Sequence, residues 1–205
     1  MRLLPYGDRA VLAELADGEE AMAVAAALDR SAPRCVEAVV PAARTVLVVA
    51  AEGASPAQVR DVLRSLRPVP VDPADDAAEV VRIEVEYDGE DLDDVASLTG
   101  LTRAEVVAAH TGQTWRVAFG GFAPGFGYLV GQDDRLHVPR RDESRTAVPA
   151  GSVALAGEYT GVYPRESPGG WQLLGRTRAV LWDLDRDPPA LLRPGVRVRF
   201  VEAGR

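Results

Sequence analysis

Eleven of the chain's 19 glycines fall between Gly120 and Gly175. That is about three times the ordinary ~7% glycine usage. Phe122, Phe126, Tyr128, Tyr159, Tyr163 and Trp171 are interleaved with them, and such groups normally pack. A flexible linker is therefore excluded. Glycine beside packed aromatics implies backbone held in special turns, or backbone that a ligand or another segment approaches closely. From Gln113 onward the rest of the chain is consistent with that. Short apolar runs, punctuated by Gly and Pro, lie at 114–119, 152–156, 171–174, 179–184 and 196–201. Many short strands with a turn signal roughly every ten residues predict a closed or nearly closed β-barrel.

The first 70 residues read differently. Two β-rich runs flank the Tyr6-Gly-Asp-Arg9 turn. An alanine-rich helix is predicted over 19–29, and a hairpin follows, with strands at 36–40 and 45–50. Ser55 as N-cap and Pro56 at N1 open a second helix, with Val59, Val62, Leu63 and Leu66 on one face. This pattern predicts an α+β unit, a small ferredoxin-like sandwich with helices on one face of an antiparallel sheet. Residues 71–79, rich in Pro and Asp, read as a linker between domains at 1–70 and 80–205. The second domain begins with an alternating strand, Val81, Ile83, Val85 and Tyr87. A helix at 91–98 follows, and Thr102 to Glu105 is a capping box opening another helix that ends near His110.

Composition removes several chemistries. The 205 residues carry a net charge of -8, which disfavours nucleic acid. No apolar run approaches the ~20 residues of a membrane span. The N-terminus lacks a signal-peptide core, so the expected location is cytoplasmic. All 23 basic residues are arginine. Without lysine there is no P-loop, no Schiff base and no covalent biotin or pyridoxal phosphate on this chain. A single cysteine, Cys35, rules out an intrachain disulfide and a multi-cysteine metal site.

The candidate site residues follow from the two glycine motifs and their neighbours. His110 shares a helix face with Val106 and Val107. It is either a packed histidine or a general base beside the glycine turns. Pro124 and Gly125 set Phe122, Phe126 and Tyr128 around a turn, which either covers the barrel core or forms a pocket wall. The second motif contributes Pro149, Gly151, Ser152, Glu158, Thr160, Tyr163, Ser167, Gly169, Gly170 and Trp171. Ser152 is not in a Gly-x-Ser-x-Gly elbow, which argues against a nucleophile. Arg140, Arg141, Arg145, Arg165, Arg176 and Arg178 cluster nearby and could form a carboxylate or phosphate fork. Two isolated histidines, His110 and His137, without matching carboxylate spacing predict no metal centre.

Three long motifs carry a family resemblance. They are Gly121-Phe-Ala-Pro-Gly-Phe-Gly-Tyr-Leu129, Val148-Pro-Ala-Gly-Ser-Val153, and Gly161-Val-Tyr-Pro-Arg-Glu-Ser-Pro-Gly-Gly-Trp171 with its continuation to Thr177. Together with Tyr6-Gly-Asp-Arg-Ala10 they resemble the KipI family, also known as the B subunit of 5-oxoprolinase and labelled allophanate hydrolase subunit 1. The resemblance implies a cyclophilin-like barrel behind a small α+β domain. It also implies two partners, a KipA-like C subunit and the A subunit of 5-oxoprolinase, in an ATP-dependent enzyme that opens 5-oxoproline to L-glutamate. Some relatives instead inhibit a sensor histidine kinase, and others belong to urea-degrading enzymes. Relatives often carry Gln where this chain has Tyr159. Activating a lactam with ATP calls for an anion-binding pocket closed to water, and His110, Arg140 and the two glycine turns are expected to line it.

Overall fold

The computed structural model describes residues 1–68 and 80–204, so the expected linker at 71–79 lies outside the described residues. The chain divides into two compact units, Met1–Asp76 and Ala77–Arg205.

In the first unit the described strands are β1 (Arg2–Tyr6), β2 (Ala10–Glu14), β3 (Val36–Pro41) and β4 (Thr45–Ala50), with helices α1 (Gly18–Ser31) and α2 (Pro56–Ser65). They form an antiparallel sheet in the order β1-β2-β4-β3. Both helices pack on one face, where Val11, Ala13, Val46 and Val48 meet Val24, Leu28, Val59 and Leu63. A ferredoxin-like chain runs βαββαβ, whereas this unit runs ββαββα. The strand flanking β2 comes from the N-terminus as a hairpin, not from beyond α2. Asp17 caps α1 through Glu20 N–H, and Ser55 and Gln58 form a capping box on α2. Those donors are otherwise orphaned at a helix start.

The second unit begins with β5 (Val80–Val85), α3 (Leu92–Thr99) and α4 (Arg103–Thr111). Then come β6 (Trp115–Gly120), β7 (Gly127–Val130), β8 (Arg145–Val148), β9 (Ser152–Ala156), β10 (Tyr159–Val162), β11 (Ser167–Gly169), β12 (Gln172–Arg176) and β13 (Arg197–Glu202). Among the described residues, one sheet runs β12-β9-β10-β7-β6-β13-β5. Its ends meet at a seam. Glu86 N–H donates to Arg176 O at 2.8 Å, and Arg176 N–H returns a bond to Glu86 O at 2.9 Å. The sheet is thus a nearly closed barrel. A separate two-stranded arm, β8 with β11, stands beside it. The barrel interior packs Ile83, Val85, Val117, Leu129, Val153, Leu155, Val162, Leu174 and Phe200 against Val95 of α3 and Val106 of α4.

The strand expected at 179–184 does not form. That segment makes an isolated bridge between Trp182 and Ala190, with Leu181 buried and Val180, Trp182 and Leu184 exposed. Among the described residues no helix is long and apolar enough to cross a membrane.

Candidate functional site: an aromatic cleft on the outer barrel wall

Strand β9 is buried along its whole length, which requires cover on both faces. Val153 and Leu155 enter the barrel interior. Ala154 and Ala156 face outward, into a second cluster with Phe126, Val148, Tyr163, Trp171 and Leu173. Alternation along β10 divides its side chains the same way: Val162 packs inside, while a Cβ on Gly161 would lie 2.9 Å from the Phe126 ring and 3.1 Å from Trp171. On β6 a bulge falls between Val117 and Phe119. It turns Phe119 to the outside, where its ring stacks on Tyr128 at 4.4 Å. Tyr159 meets the same pair edge-on.

Phe126 is the hub of this outer cluster. Its ring lies edge-on to Tyr128 at 5.0 Å, Phe122 at 5.2 Å, Trp171 at 5.4 Å and Tyr163 at 5.6 Å. Above it opens a cleft of about 200 Å³, lined by Phe122, Phe126, Tyr128, Arg140, Ser144, Tyr163, Pro168, Gly169, Gly170 and Trp171. Phe122 stands at the mouth, 56% exposed, with a φ of 63°. Ala123 N–H bonds Gly121 O across it at 2.6 Å, a γ-turn of the rare positive-φ kind. A bulky side chain there carries about 1 kcal/mol or more of backbone strain. Gly169 admits no side chain, because a Cβ would sit 2.3 Å from the Tyr163 hydroxyl.

A buried carboxylate fixes the rim. Asp91 is 1% exposed at the start of α3, yet it does not cap that helix. Its Oδ1 accepts from Arg141 and, at 2.7 Å, from Arg145; its Oδ2 accepts from Leu173 N–H at 2.7 Å. Burial pushes this carboxyl up, but the Arg145 bond, the Leu173 N–H and the charges of both arginines outweigh it and hold the group below its usual range. Arg141 N–H also bonds Gly170 O at 2.8 Å. Arg140, between these anchors, is exposed and makes no hydrogen bond or ion pair among the described residues. Its charge opposes the effect of burial, which raises the hydroxyls of Tyr128 and Tyr163. Both phenols therefore stay protonated at neutral pH.

Eight of the candidate residues thus come together: Phe122, Phe126, Tyr128, Arg140, Tyr163, Gly169, Gly170 and Trp171. Pro124 and Gly125 shape the adjoining turn, and a Cβ on Gly125 would lie 3.0 Å from Trp182. Pro149, Gly151, Ser152 and Ser167 sit outside the cleft lining. Ser152 and Ser167 are buried. Glu158 is exposed and lines a different depression, with Asp133, Asp134 and His137. Of the arginines that could form a fork, several are engaged by carboxylates of the chain itself. Arg141 and Arg145 serve Asp91, and Arg176 pairs with Glu86 and Asp88 at the seam. Ser144, Pro168 and Asp91 are not legible as site residues in the sequence. Nothing local distinguishes Asp91 from an ordinary helix-capping aspartate.

The expectation that His110 lines the pocket is corrected. His110 is 0% exposed and lies inside the barrel, its ring tilted by 30° against Phe200 at 4.4 Å. Thr160, on the inner face of β10, separates it from the cleft. The Thr160 hydroxyl donates to Ala154 O at 3.1 Å, so it accepts from His110 Nε2–H at 2.9 Å. Nδ1 then accepts from the Tyr87 hydroxyl at 2.7 Å. Burial pushes the imidazole down to about 3, so it stays neutral. The unfolded chain takes up a proton below about 6.5 that the native state refuses, and stability therefore falls as the pH falls. Urea unfolding is expected to lose about 1.4 kcal/mol per pH unit below pH ~6.5 from this group. His110→Gln should remove that slope; an unchanged slope would count against the buried neutral assignment. Among the described residues no cluster of His, Cys, Asp and Glu could hold a metal ion.

Comparison with known proteins decides the family. Residues 1–192 match the family described as carboxyltransferase domain, subdomain C and D. The chain belongs to this family. Its curated carboxyltransferase-domain relatives include the 5-oxoprolinase B subunit of Escherichia coli O157:H7, 53% identical over 113 residues, or 55% of this chain and 52% of that protein. The protein of the same name from Bacillus subtilis (strain 168) is 46% identical over 125 residues, 60% of this chain and 52% of that one. The chain spans about half the length of these curated relatives. The crystal structure of TTHA0988 superposes with a TM-score of 0.77 at 37% identity, covering 96% of this chain and 41% of that one. The Kluyveromyces lactis urea amidolyase gives a TM-score of 0.75 at 19% identity, over 98% of this chain and 15% of that one, a likeness of fold alone.

Proposed function

We propose that this chain is the B subunit of an ATP-dependent 5-oxoprolinase. In this reading it works in the cytoplasm with a KipA-like C subunit and an A subunit, and the complex opens 5-oxoproline to L-glutamate. The observation that carries the reading is the 44–53% identity to three proteins named as 5-oxoprolinase B subunits. Relatives named for urea carboxylase and urea amidolyase are more distant, at 31% and 28%, which makes a urea- or allophanate-directed activity the second reading.

The site is consistent with a protein that needs partners. The cleft lining holds no carboxylate and no imidazole, so it can bind and orient but has no general base of its own at neutral pH. The aromatic cleft does not suit ATP. There is no lysine for a P-loop, and the cleft lining offers a single guanidinium. The nucleotide is assigned to the assembled complex. Exposed Phe122, Val180, Trp182 and Leu184 on the barrel unit are apolar groups that a partner could cover.

The test is ATP-dependent glutamate release from 5-oxoproline by the three co-expressed subunits. Release that requires this chain supports the reading. A folded, fully assembled complex that releases none, but hydrolyses allophanate, favours the second one.

A further inference from the structure

We infer that the outer-wall cleft is a subsite for a carboxylate carried on one small flat ring, with the carboxylate on Arg140 and the ring against Phe126 and Trp171. The inference deepens the proposed function and rests on it only for the name of the natural ligand. Three observations carry it.

The first is charge. In a chain of net charge -8, Arg141 and Arg145 beside the cleft are neutralised by Asp91. Arg140 is left without an ion pair among the described residues, while its neighbour Arg141 is tied to Gly170 and Asp91. An unpaired guanidinium next to an anchored stretch of backbone is a ready partner for a carboxylate, which it can engage with two parallel bonds. The second is polarity. The polar side chains lining the cleft are Arg140, Ser144, Tyr128 and Tyr163. All four can donate, and none is an anion at neutral pH. An acceptor-rich ligand is matched and a cationic one is repelled. The third is shape. A cleft of about 200 Å³ is smaller than the ~300 Å³ at which drug-sized ligand sites begin. Phe126 and Trp171 wall it, and the Gly169-Gly170 backbone presents no Cβ. A single ring fits; a nucleotide does not.

The experiment uses the full chain, and then the assembled complex, with three ligands. 5-Oxoproline carries both the ring amide and the carboxylate. Pyrrole-2-carboxylate carries the carboxylate on a flat ring that hydrolysis cannot open. 2-Pyrrolidinone is the lactam without the carboxylate. Side-chain NMR signals of Phe126, Tyr163 and Trp171 in the full chain are expected to shift with the first two at millimolar concentration and not with the third. Arg140→Ala should abolish those shifts without changing the melting temperature, since Arg140 is exposed and makes no contact that holds the fold. Arg140→Lys should restore part of the binding. In the complex, Arg140→Ala is expected to raise KM for 5-oxoproline about tenfold or more, with kcat changed far less.

The absence of any carboxylate-dependent shift, or equal affinities in wild type and Arg140→Ala, overturns the inference. The two proposals fail separately. If the wild-type complex releases no glutamate but pyrrole-2-carboxylate still binds through Arg140, the enzyme reading falls and the carboxylate subsite stands. If glutamate release keeps its KM in Arg140→Ala, the subsite falls and the enzyme reading stands.

Discussion

Asp91→Ala is expected to lower the stability of the barrel unit by about 3 kcal/mol, at the lower end of what removing one partner of a buried ion pair costs. The carboxylate is 1% exposed and serves three donors, two guanidinium groups and the Leu173 N–H. Without it, Arg145 keeps a largely buried charge with no equivalent acceptor, and one of its nitrogens, Nη1, already lacks a partner. The loss is large against a typical total of about 5–15 kcal/mol. Asp91→Asn should cost less, because the amide oxygen can still accept from Leu173. The pH dependence separates charge from shape. The folded Asp91 carboxyl lies below its ordinary value. Its stabilisation is therefore complete above the unfolded-state pKa of about 3.9 and fades as the pH falls through the lower folded value. The gap between wild type and Asp91→Asn in urea unfolding should be full at pH 7 and shrink in strong acid. Equal stabilities at pH 7 would show that the arginines find other partners. The cleft should suffer as well, since Arg141 and Arg145 flank the rim on which Arg140 sits.

Gly175→Ala is expected to cost about 3 kcal/mol or more by opening the barrel seam. A Cβ at Gly175 would lie 2.1 Å from Glu86 O and 2.9 Å from the Tyr87 Cα. Both are backbone, so no rotamer change relieves the overlap. The β5 end and β12 must part, which breaks the paired bonds between Glu86 and Arg176. That exceeds the usual 1–3 kcal/mol of overpacking, where side chains can give way. Amide exchange at Glu86 and Arg176 should quicken well beyond that of the β9–β10 pair. Gly120→Ala serves as the control. The nearest atom to its added Cβ, Phe126 O, is at 3.7 Å, an ordinary contact, and its stability should stay within about 0.5 kcal/mol. Matching exchange at Glu86 in Gly175→Ala and wild type would mean that the seam is looser than its hydrogen bonds imply.

Signals confined to one turn of chain carry through to the fold. Ser55, Pro56 and Gln58 define the start of α2, and Thr102 with Glu105 that of α4. In each, the signal and the structure it specifies lie within a single helical turn. The alternation of Val198 and Phe200 against Arg197 and Arg199 marks β13, because a half-buried strand writes its two faces into the sequence. The glycine-rich stretch is recognisable as ordered and as the place of a cleft, but not as strands. β7, β8, β10 and β11 lie within it, and their extended form comes from pairing with segments that local propensity does not see.

The sequence by itself determined the α+β plan, the helix starts, the concentration of aromatics among glycines and the absence of any lysine chemistry. Only the tertiary structure decided which side of the barrel wall each of these residues faces. Thr160 and Gly161 are neighbours in the chain, yet one is bonded to buried His110 inside and the other backs the cleft outside. Which face is inside depends on where the sheet closes, and the bulge at Phe119 reverses the pattern once more. That is why His110 is expected beside Arg140 and is found behind the wall, and why Asp91, which reads as a helix start, holds the rim of the cleft.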